Sequence, residues 1–376
     1  MTRTIEELIP EYIRGLPVYV PGKPIEEVER ELKIHAVKLA SNENPLGPSP
    51  KAMEAARAAL GESHRYPDGG TCRLREKIAK MHGVSPEEIF VALGSSEIID
   101  VAARTLLGPG KIGLTAEGTY APFSIAIRAS GAALERVPLC AFSFDLAELA
   151  RALTNATRVI YLANPNNPTG TAFGAEEFEK FLSQVASDVL VVLDEAYIHY
   201  AERADMPRSA ELFRMRKNLL ILRTFSKVYG MAGMRIGYGI GQAPLVTAMN
   251  KLRTPFNVSG VAQAAALAAL DDDGHVRRCI EANRVERARV TEGVAKLGLL
   301  PVKSETNFVF VEAGPAAKAI CEDLLRAGVI VRPLGWMGFP EALRISIGTA
   351  EENGKLLEAL GRVLAKHTGK PELTPR

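Results

Sequence analysis

Cysteine is scarce in this chain: four in 376 residues (Cys72, Cys140, Cys279 and Cys321), far apart and without a C-x-x-C pair. That distribution excludes a disulfide frame and a cysteine zinc site, and suits thiols kept in a reducing compartment. The six histidines lack metal-ligand spacing, and "DDDGH" (271–275) reads as an acidic turn that lacks the later glutamate of a calcium loop. No metal site is expected. No segment reaches the length of uncharged apolar sequence that crosses a bilayer. The opening "MTRTIEELIPEYIRG" has no apolar centre of the kind a signal peptide carries, so a cytoplasmic protein is expected. Neither sign of charge dominates: 46 Lys and Arg stand against 44 Asp and Glu, net +2. That balance leaves no basic footprint for nucleic acid and no polybasic membrane patch. Small anions remain admissible, since they need only a local cationic pocket. There is no internal repeat and no low-complexity tract.

What is present is ample core material, 47% hydrophobic against 24% charged residues, enough for one large domain and a smaller one. Residues 1–40 read as an arm of short helical pieces, interrupted by the prolines of "LPVYVPGKP" and expected to pack with the smaller domain. "LASNENPLGPSP" is a turn-rich connector, and Ser49-Pro50 opens a helix over "SPKAMEAARAAL". "RYPDGGTCRLREKIAKMHG" reads as a glycine turn followed by an amphipathic helix ending at Gly83. Strands then alternate with helices: 88–93, "KIGLTA", 158–165, 188–197, 218–226 and 234–241 are strand-like. Several are apolar on consecutive residues, which suits strands covered on both faces. The rhythm predicts an α/β fold: a large domain over 41–255 with a mostly parallel sheet flanked by helices, and a smaller α+β domain over 256–376. Long helices are expected over 259–299 and 351–367, with short strands "NFVFVE", "VIVRPL" and "ALRISIGT" between them.

In such sheets ligands bind beyond the carboxyl ends of the strands, and the polar residues of interest gather there. "GSSE" (94–97) is a glycine turn opening a helix, a seat for an anion or simply a serine-capped helix. "ANPNNPTG" (163–170) brings two asparagines in what could be only a loop. "DEAY" (194–197) puts a carboxylate after five apolar residues, where it needs a cationic partner or reads as a surface acid just past the strand. "TFSKVYGMAGMRIGY" (224–238) places Lys227 and Arg235 among small and apolar residues, costly unless paired or chemically used. Together they supply an anion seat, a carboxylate, an amide, a tyrosine and a lysine at one sheet edge. A phosphorylated pyridine aldehyde needs that set: a lysine to bond the aldehyde, an acid for the ring nitrogen and a cradle for the phosphate.

At this point the chain resembles fold type I pyridoxal-phosphate aminotransferases and is most similar to the histidinol-phosphate aminotransferase family. The likeness runs through "LASNENPLGPSP", "RYPDGG", "GSSEII", "ANPNNPTG", "VVLDEAY", "TFSKVYGMAGMRIGY" and "LRISIGT" in order. The resemblance implies that Lys227 carries the cofactor and moves the proton, and that Asp194 pairs with the pyridinium nitrogen. It implies that Asn167 and Tyr197 hydrogen-bond the phenolic oxygen of the ring and that Tyr120 stacks on its face. Ser95 and Ser96, with Thr224, Ser226 and Arg235, would hold the phosphate. Tyr66 would reach the phosphate region of a partner subunit's site, so a homodimer with sites at the interface is expected. Many members carry an acid where Ser96 stands; the contact there is largely through the backbone.

On the substrate side the resemblance implies Arg332 and Arg344 as anion binders, Asn167 beside them, and Tyr19 closing over the substrate. The expected reaction, a step of histidine biosynthesis, transfers the amino group of L-histidinol phosphate to 2-oxoglutarate, giving imidazole acetol phosphate and L-glutamate. Relatives on the same scaffold act on phenylalanine or tyrosine, and a phosphothreonine decarboxylase branch uses the same lysine, aspartate and arginines. A non-enzymatic pyridoxal-phosphate-binding regulator would need an added DNA-binding module, for which the roughly forty residues before the large domain leave little room. Trp336 and Phe339 could line a substrate pocket or pack as loop residues. His64 and His199 read as structural or solvated.

Overall fold

The computed structural model describes residues 4–16 and 25–368. In chain order the strands are β1 (Val37–Lys38), β2 (Ile89–Ala92), β3 (Ile112–Ala116), β4 (Ala133–Val137), β5 (Thr157–Ala163), β6 (Leu190–Asp194), β7 (Leu219–Thr224) and β8 (Gly237–Ile240), then β9 (Leu300–Pro301), β10 (Phe308–Glu312), β11 (Val329–Ile330), β12 (Arg332–Pro333) and β13 (Ala342–Ser346). Seven of them form one sheet in the order β2-β8-β7-β6-β5-β3-β4. Every pair from β7 through to β4 is parallel, and β8 runs antiparallel to both β7 and β2. The sheet is thus mostly parallel, as its consecutive apolar residues predict: Val191–Leu193 and Leu219–Leu222 have no solvent exposure.

Local signals act where the sequence puts them. Ser49 caps the helix Pro50–Leu60 by accepting the Ala52 N–H, and Gly83 ends the helix Cys72–His82 in the left-handed conformation at φ +64°. Two elements depart from expectation. The helix expected over 259–299 is divided into Gly260–Ala269 and Asp273–Lys296, because Asp272 turns out of the first and caps the second at His275 N. Strand β4 was not anticipated: it is the sheet edge, its "ALERV" carries charge, and four of its five residues are at least partly exposed.

The second body has a four-stranded antiparallel sheet, β12-β13-β10-β9, covered by the helices Asp273–Lys296, Ala317–Arg326 and Ala350–Thr368. The connector toward the large sheet is sewn onto this body: β1 pairs in parallel with β11, Leu39 N donates to Ile330 O, and Ser346 N donates to Leu39 O. The apolar cores part later than the division at 255. Val258, Ala262, Ala266, Ala269 and Cys279 belong to the core around the large sheet, whereas Val290 and Val294, farther along the same helix, belong to the second. No helix among the described residues is long and apolar enough to cross a membrane.

Leu193 sits in the central strand of the large sheet with no exposed surface. Leu193→Ala should cost about 2–5 kcal/mol, the range for leaving a cavity in a tight core. A lowered urea midpoint at unchanged cofactor stoichiometry is the expected reading; an unchanged midpoint would mean that the core is looser than this packing implies.

Candidate active site

The carboxyl ends of β5, β6 and β7 open into a cavity of about 650 Å³ between the two bodies. Ser95, Ser96, Tyr120, Asn167, Asp194, Tyr197, Thr224, Ser226, Lys227, Arg235, Arg332 and Arg344 all line it. Twelve of the fourteen residues singled out from the sequence therefore meet in one place. Tyr66 does not line it: its ring is 83% exposed and stacks on Phe256 at 4.8 Å. Tyr19 lies outside the described residues.

One end of the cavity is an anion seat. Gly94 stands before the helix Ser95–Leu106 at φ +78°, and a Cβ there would come within 3.0 Å of Arg235 Nη2. Only glycine lets the chain turn there with the arginine alongside. The helix begins with unbonded N–H groups and the positive end of its dipole. Arg235 is braced by Ala232 O at 2.9 Å and Leu93 O at 3.3 Å, and its Nη1 lies 3.5 Å from Ser226 Oγ. Thr224 Oγ1 accepts the Ser226 N–H at 3.0 Å. Two hydroxyls, a guanidinium and a helix N-terminus thus surround one space. The Ser96 and Tyr120 hydroxyls meet at 2.9 Å, fixing that ring at the mouth of the seat.

Beside this seat lies the reactive pair. Asp194 terminates β6 and is buried; its Oδ1 accepts the Ala196 N–H at 2.9 Å. Burial pushes its carboxyl up to about 7, and the negative charge of Glu195 adds to the effect against the Ala196 N–H, Lys227 and Ser95, which oppose it. Lys227 Nζ donates to Asn42 O at 3.3 Å and lies 5.5 Å from the centre of the Tyr197 ring. Burial, with the cations Arg344 and Arg235, lowers its amine to about 8, while Glu43 and Asp194 pull the other way. Both groups are thereby brought closer to neutrality than they would be in water. Burial also raises the phenol of Tyr197.

The anion binders of the second body enter from its sheet. Arg344, on β13, donates to Asn167 Oδ1 at 2.5 Å and Ala40 O at 2.8 Å. Asn167 is presented by a loop whose Asn164 bonds Phe173 and whose Asn166 bonds Thr169 and Thr119. Arg332, on β12, has its guanidinium carbon 5.1 Å from the centre of the half-exposed Trp336 ring. Trp336 lines the cavity, whereas Phe339 packs with Phe310 and Phe142 in an apolar cluster. His199 is partly buried against Tyr229 and kept neutral, its pKa pushed down to about 3 by desolvation and then by Arg223. His64 lies on the surface beside Arg65. No cluster of three or more His, Cys, Asp or Glu side chains that could hold a metal occurs among the described residues.

Among the cavity residues that escaped the sequence reading, one bonds both Lys227 and Tyr197. Asn42, in the connector, is buried, receives Lys227 at its carbonyl and donates through Nδ2 to Tyr197 OH at 3.0 Å. The only available signal was its place in "LASNENP", a turn-rich stretch in which one asparagine looks like another.

Residues 34–360 match the family described as aminotransferase class I and II. The chain is 46% identical over 356 residues to histidinol-phosphate aminotransferase 2 of Pseudomonas aeruginosa, covering 94% of this chain and 96% of that one. It is 46% identical over 360 residues to histidinol-phosphate aminotransferase of Anaeromyxobacter sp., covering 95% and 99%. Among solved structures it resembles histidinol-phosphate aminotransferase from Sinorhizobium meliloti in complex with pyridoxal-5'-phosphate, with a TM-score of 0.88 and 31% identity over 96% of this chain and 98% of that one. Aspartate aminotransferase from Thermus thermophilus with maleate aligns at a TM-score of 0.81 and 25% identity, over 94% and 99%.

The residues fit pyridoxal phosphate on their own chemistry. Asp194 is a buried carboxylate whose nearest stabilisation is one backbone N–H, so a cationic ring nitrogen entering the cavity would hold it ionised. Without that cation, the pKa of Asp194 in the folded protein, about 7, exceeds the ordinary 3.8, so the folded state binds the extra proton. Stability from this group is full below about 4 and is lost as pH rises through about 7. Cofactor-free Asp194→Asn should therefore gain stability over cofactor-free wild type progressively across that window in urea titrations. Parallel curves for the two proteins would contradict the burial assigned to this carboxylate.

Proposed function

The chain belongs to the aminotransferase class I and II family, and from that premise we propose that it transfers the amino group of L-histidinol phosphate to 2-oxoglutarate, with pyridoxal 5'-phosphate as cofactor. The observation that carries the reading is the cavity itself, in which a buried acid, a partly neutral lysine, an anion seat and two arginines from the second body converge. The pyridoxal-phosphate complex of a similar protein and the names of the relatives support the same cofactor and substrate.

When bound, the cofactor supplies a ring that takes up the electron pair left when the substrate's α-carbon loses its proton. Asp194, buried at the end of its strand, would keep the ring nitrogen protonated. The Gly94 turn, Thr224, Ser226 and Arg235 would take the phosphate, and Tyr120 would lie against the ring. Asn167 and Tyr197 would hydrogen-bond the phenolic oxygen. With its amine lowered to about 8, Lys227 is neutral in roughly a tenth of molecules at pH 7. Its Nζ would then take the proton from the α-carbon and deliver it two atoms away, across the transferred nitrogen.

Donor and acceptor use the pocket in turn. Arg344 and Arg332 serve the substrate phosphate in one half-reaction and a carboxylate of glutamate or 2-oxoglutarate in the other, since a planar guanidinium suits both anions. Tyr19 is assigned to closing over the substrate by resemblance alone. Tyr66, exposed beside the half-exposed Phe256, is assigned to the partner site of a homodimer, which would also cover that apolar pair. A cytoplasmic location follows from the biosynthetic role.

Two measurements test this reading. Half-reactions with histidinol phosphate, phenylalanine and phosphothreonine should give histidinol phosphate the highest kcat/KM; a higher value for either rival overturns the substrate. Arg344→Ala should weaken histidinol phosphate and glutamate alike, each by about 10- to 100-fold, as expected for a lost charge-assisted hydrogen bond. A loss confined to one of them would contradict the shared pocket.

A further inference from the structure

We infer that Asn42 is a positioning residue that fixes which way the Tyr197 phenol donates its proton, and that Ser346 on β13 locks it in that role. The inference rests on the cofactor reading above and deepens it. Asn42 is 1% exposed and stands at φ +55°, in the left-handed region that asparagine tolerates better than most side chains. Ser346 Oγ accepts the backbone N–H of Asn42 at 2.8 Å and lies 3.0 Å from Asn42 Oδ1. Ser346 is itself buried, and Asn42 Oδ1 is the acceptor within reach of its hydroxyl proton.

Donor accounting then decides the orientation of the amide. If Asn42 were turned over, its Nδ2 and its backbone N–H would both point at Ser346 Oγ, and the buried serine proton would lose its acceptor. With Oδ1 toward Ser346, Nδ2 faces Tyr197 OH at 3.0 Å and donates to it. The phenol oxygen is thereby an acceptor on that side, and its own proton is left for the cavity. The same residue receives Lys227 Nζ on its carbonyl, which Asn307 Nδ2 also fills at 3.0 Å. One connector residue thus orients two groups of the site, and it is anchored 304 residues away in the second body.

A phenol that donates into the cavity stabilises negative charge on the phenolic oxygen of bound cofactor. Removing that donation should raise the pH midpoint of the cofactor's visible absorbance. The charged and titratable groups that face this region are Lys227, Asp194, Arg344, Arg235, Glu43 and Tyr200. Asn42→Asp keeps the shape but offers Tyr197 an acceptor instead of a donor, so the phenol proton turns away from the cavity.

The test is a spectroscopic pH titration of cofactor-saturated wild type, Asn42→Asp, Tyr197→Phe and the double variant. Asn42→Asp should raise the midpoint by about one pH unit, the size of one charge-assisted hydrogen bond. In the Tyr197→Phe background the same substitution should add little, because the effect passes through the phenol. An equal shift in both backgrounds would mean that the new carboxylate acts by its charge alone and would overturn the inference, as would no shift in a folded, saturated Asn42→Asp protein. Should Asn42→Asp fail to fold, Ser346→Ala frees the amide to turn over and should raise the midpoint by a smaller amount; an unchanged midpoint there also overturns it. A wild type with no visible band would instead defeat the cofactor reading.

Discussion

Two opposite charges, one buried and one partly so, share one cavity without forming an ordinary ion pair. Asp194 closes β6 and Lys227 follows β7, on adjacent parallel strands, yet the amine rests on the Asn42 carbonyl and the carboxylate on the Ala196 N–H. Desolvation is the largest influence on both, and it drives each toward its neutral form. Their mutual attraction is a lesser influence on each. A site of this kind is poised for a third party: a flat, charged ring between them would restore the acid to its anion and give the amine a reaction partner. The apolar sheet that makes burial possible is therefore as much a part of the chemistry as the charged groups.

The second body contributes more than a roof. Its strand β13 carries Arg344 and Ser346, and the connector that leads to the large sheet is bonded to this body through Val37, Leu39 and Ala40 before it reaches the cavity as Asn42. Arg344 grips Ala40 O and Asn167 Oδ1 together, so the loop after β5 and the connector are tied to the substrate-binding strand by one guanidinium. Movement of the small body would pass directly to the residues that orient Lys227 and Tyr197.

Much of this was legible in the sequence because burial and reactivity leave a mark. A charged residue after a run such as "VLVVL" has few explanations, and Asp194 and Lys227 were found that way. Consecutive apolar residues announced the central strands. What escaped had physical reasons. Strand β4 is an edge and carries the charges of an edge, so it has neither alternation nor an apolar run. The break after Ala269 falls within a helical pattern that continues on both sides, and only the acidic turn "DDDGH", with its cap at Asp272, marks it. Asn42 depends on a left-handed backbone and a partner far along the chain, neither of which a local reading can see. Tyr66 owes its expected role to a second copy, so no feature of a single chain could display it.

The most direct test of the account is to reduce the pyridoxal-phosphate-loaded protein with borohydride, digest it and locate the attached pyridoxyl group by mass spectrometry. The account predicts that group on the side chain of Lys227. A pyridoxyl group on a different lysine, or none in protein that binds the cofactor stoichiometrically, would contradict it.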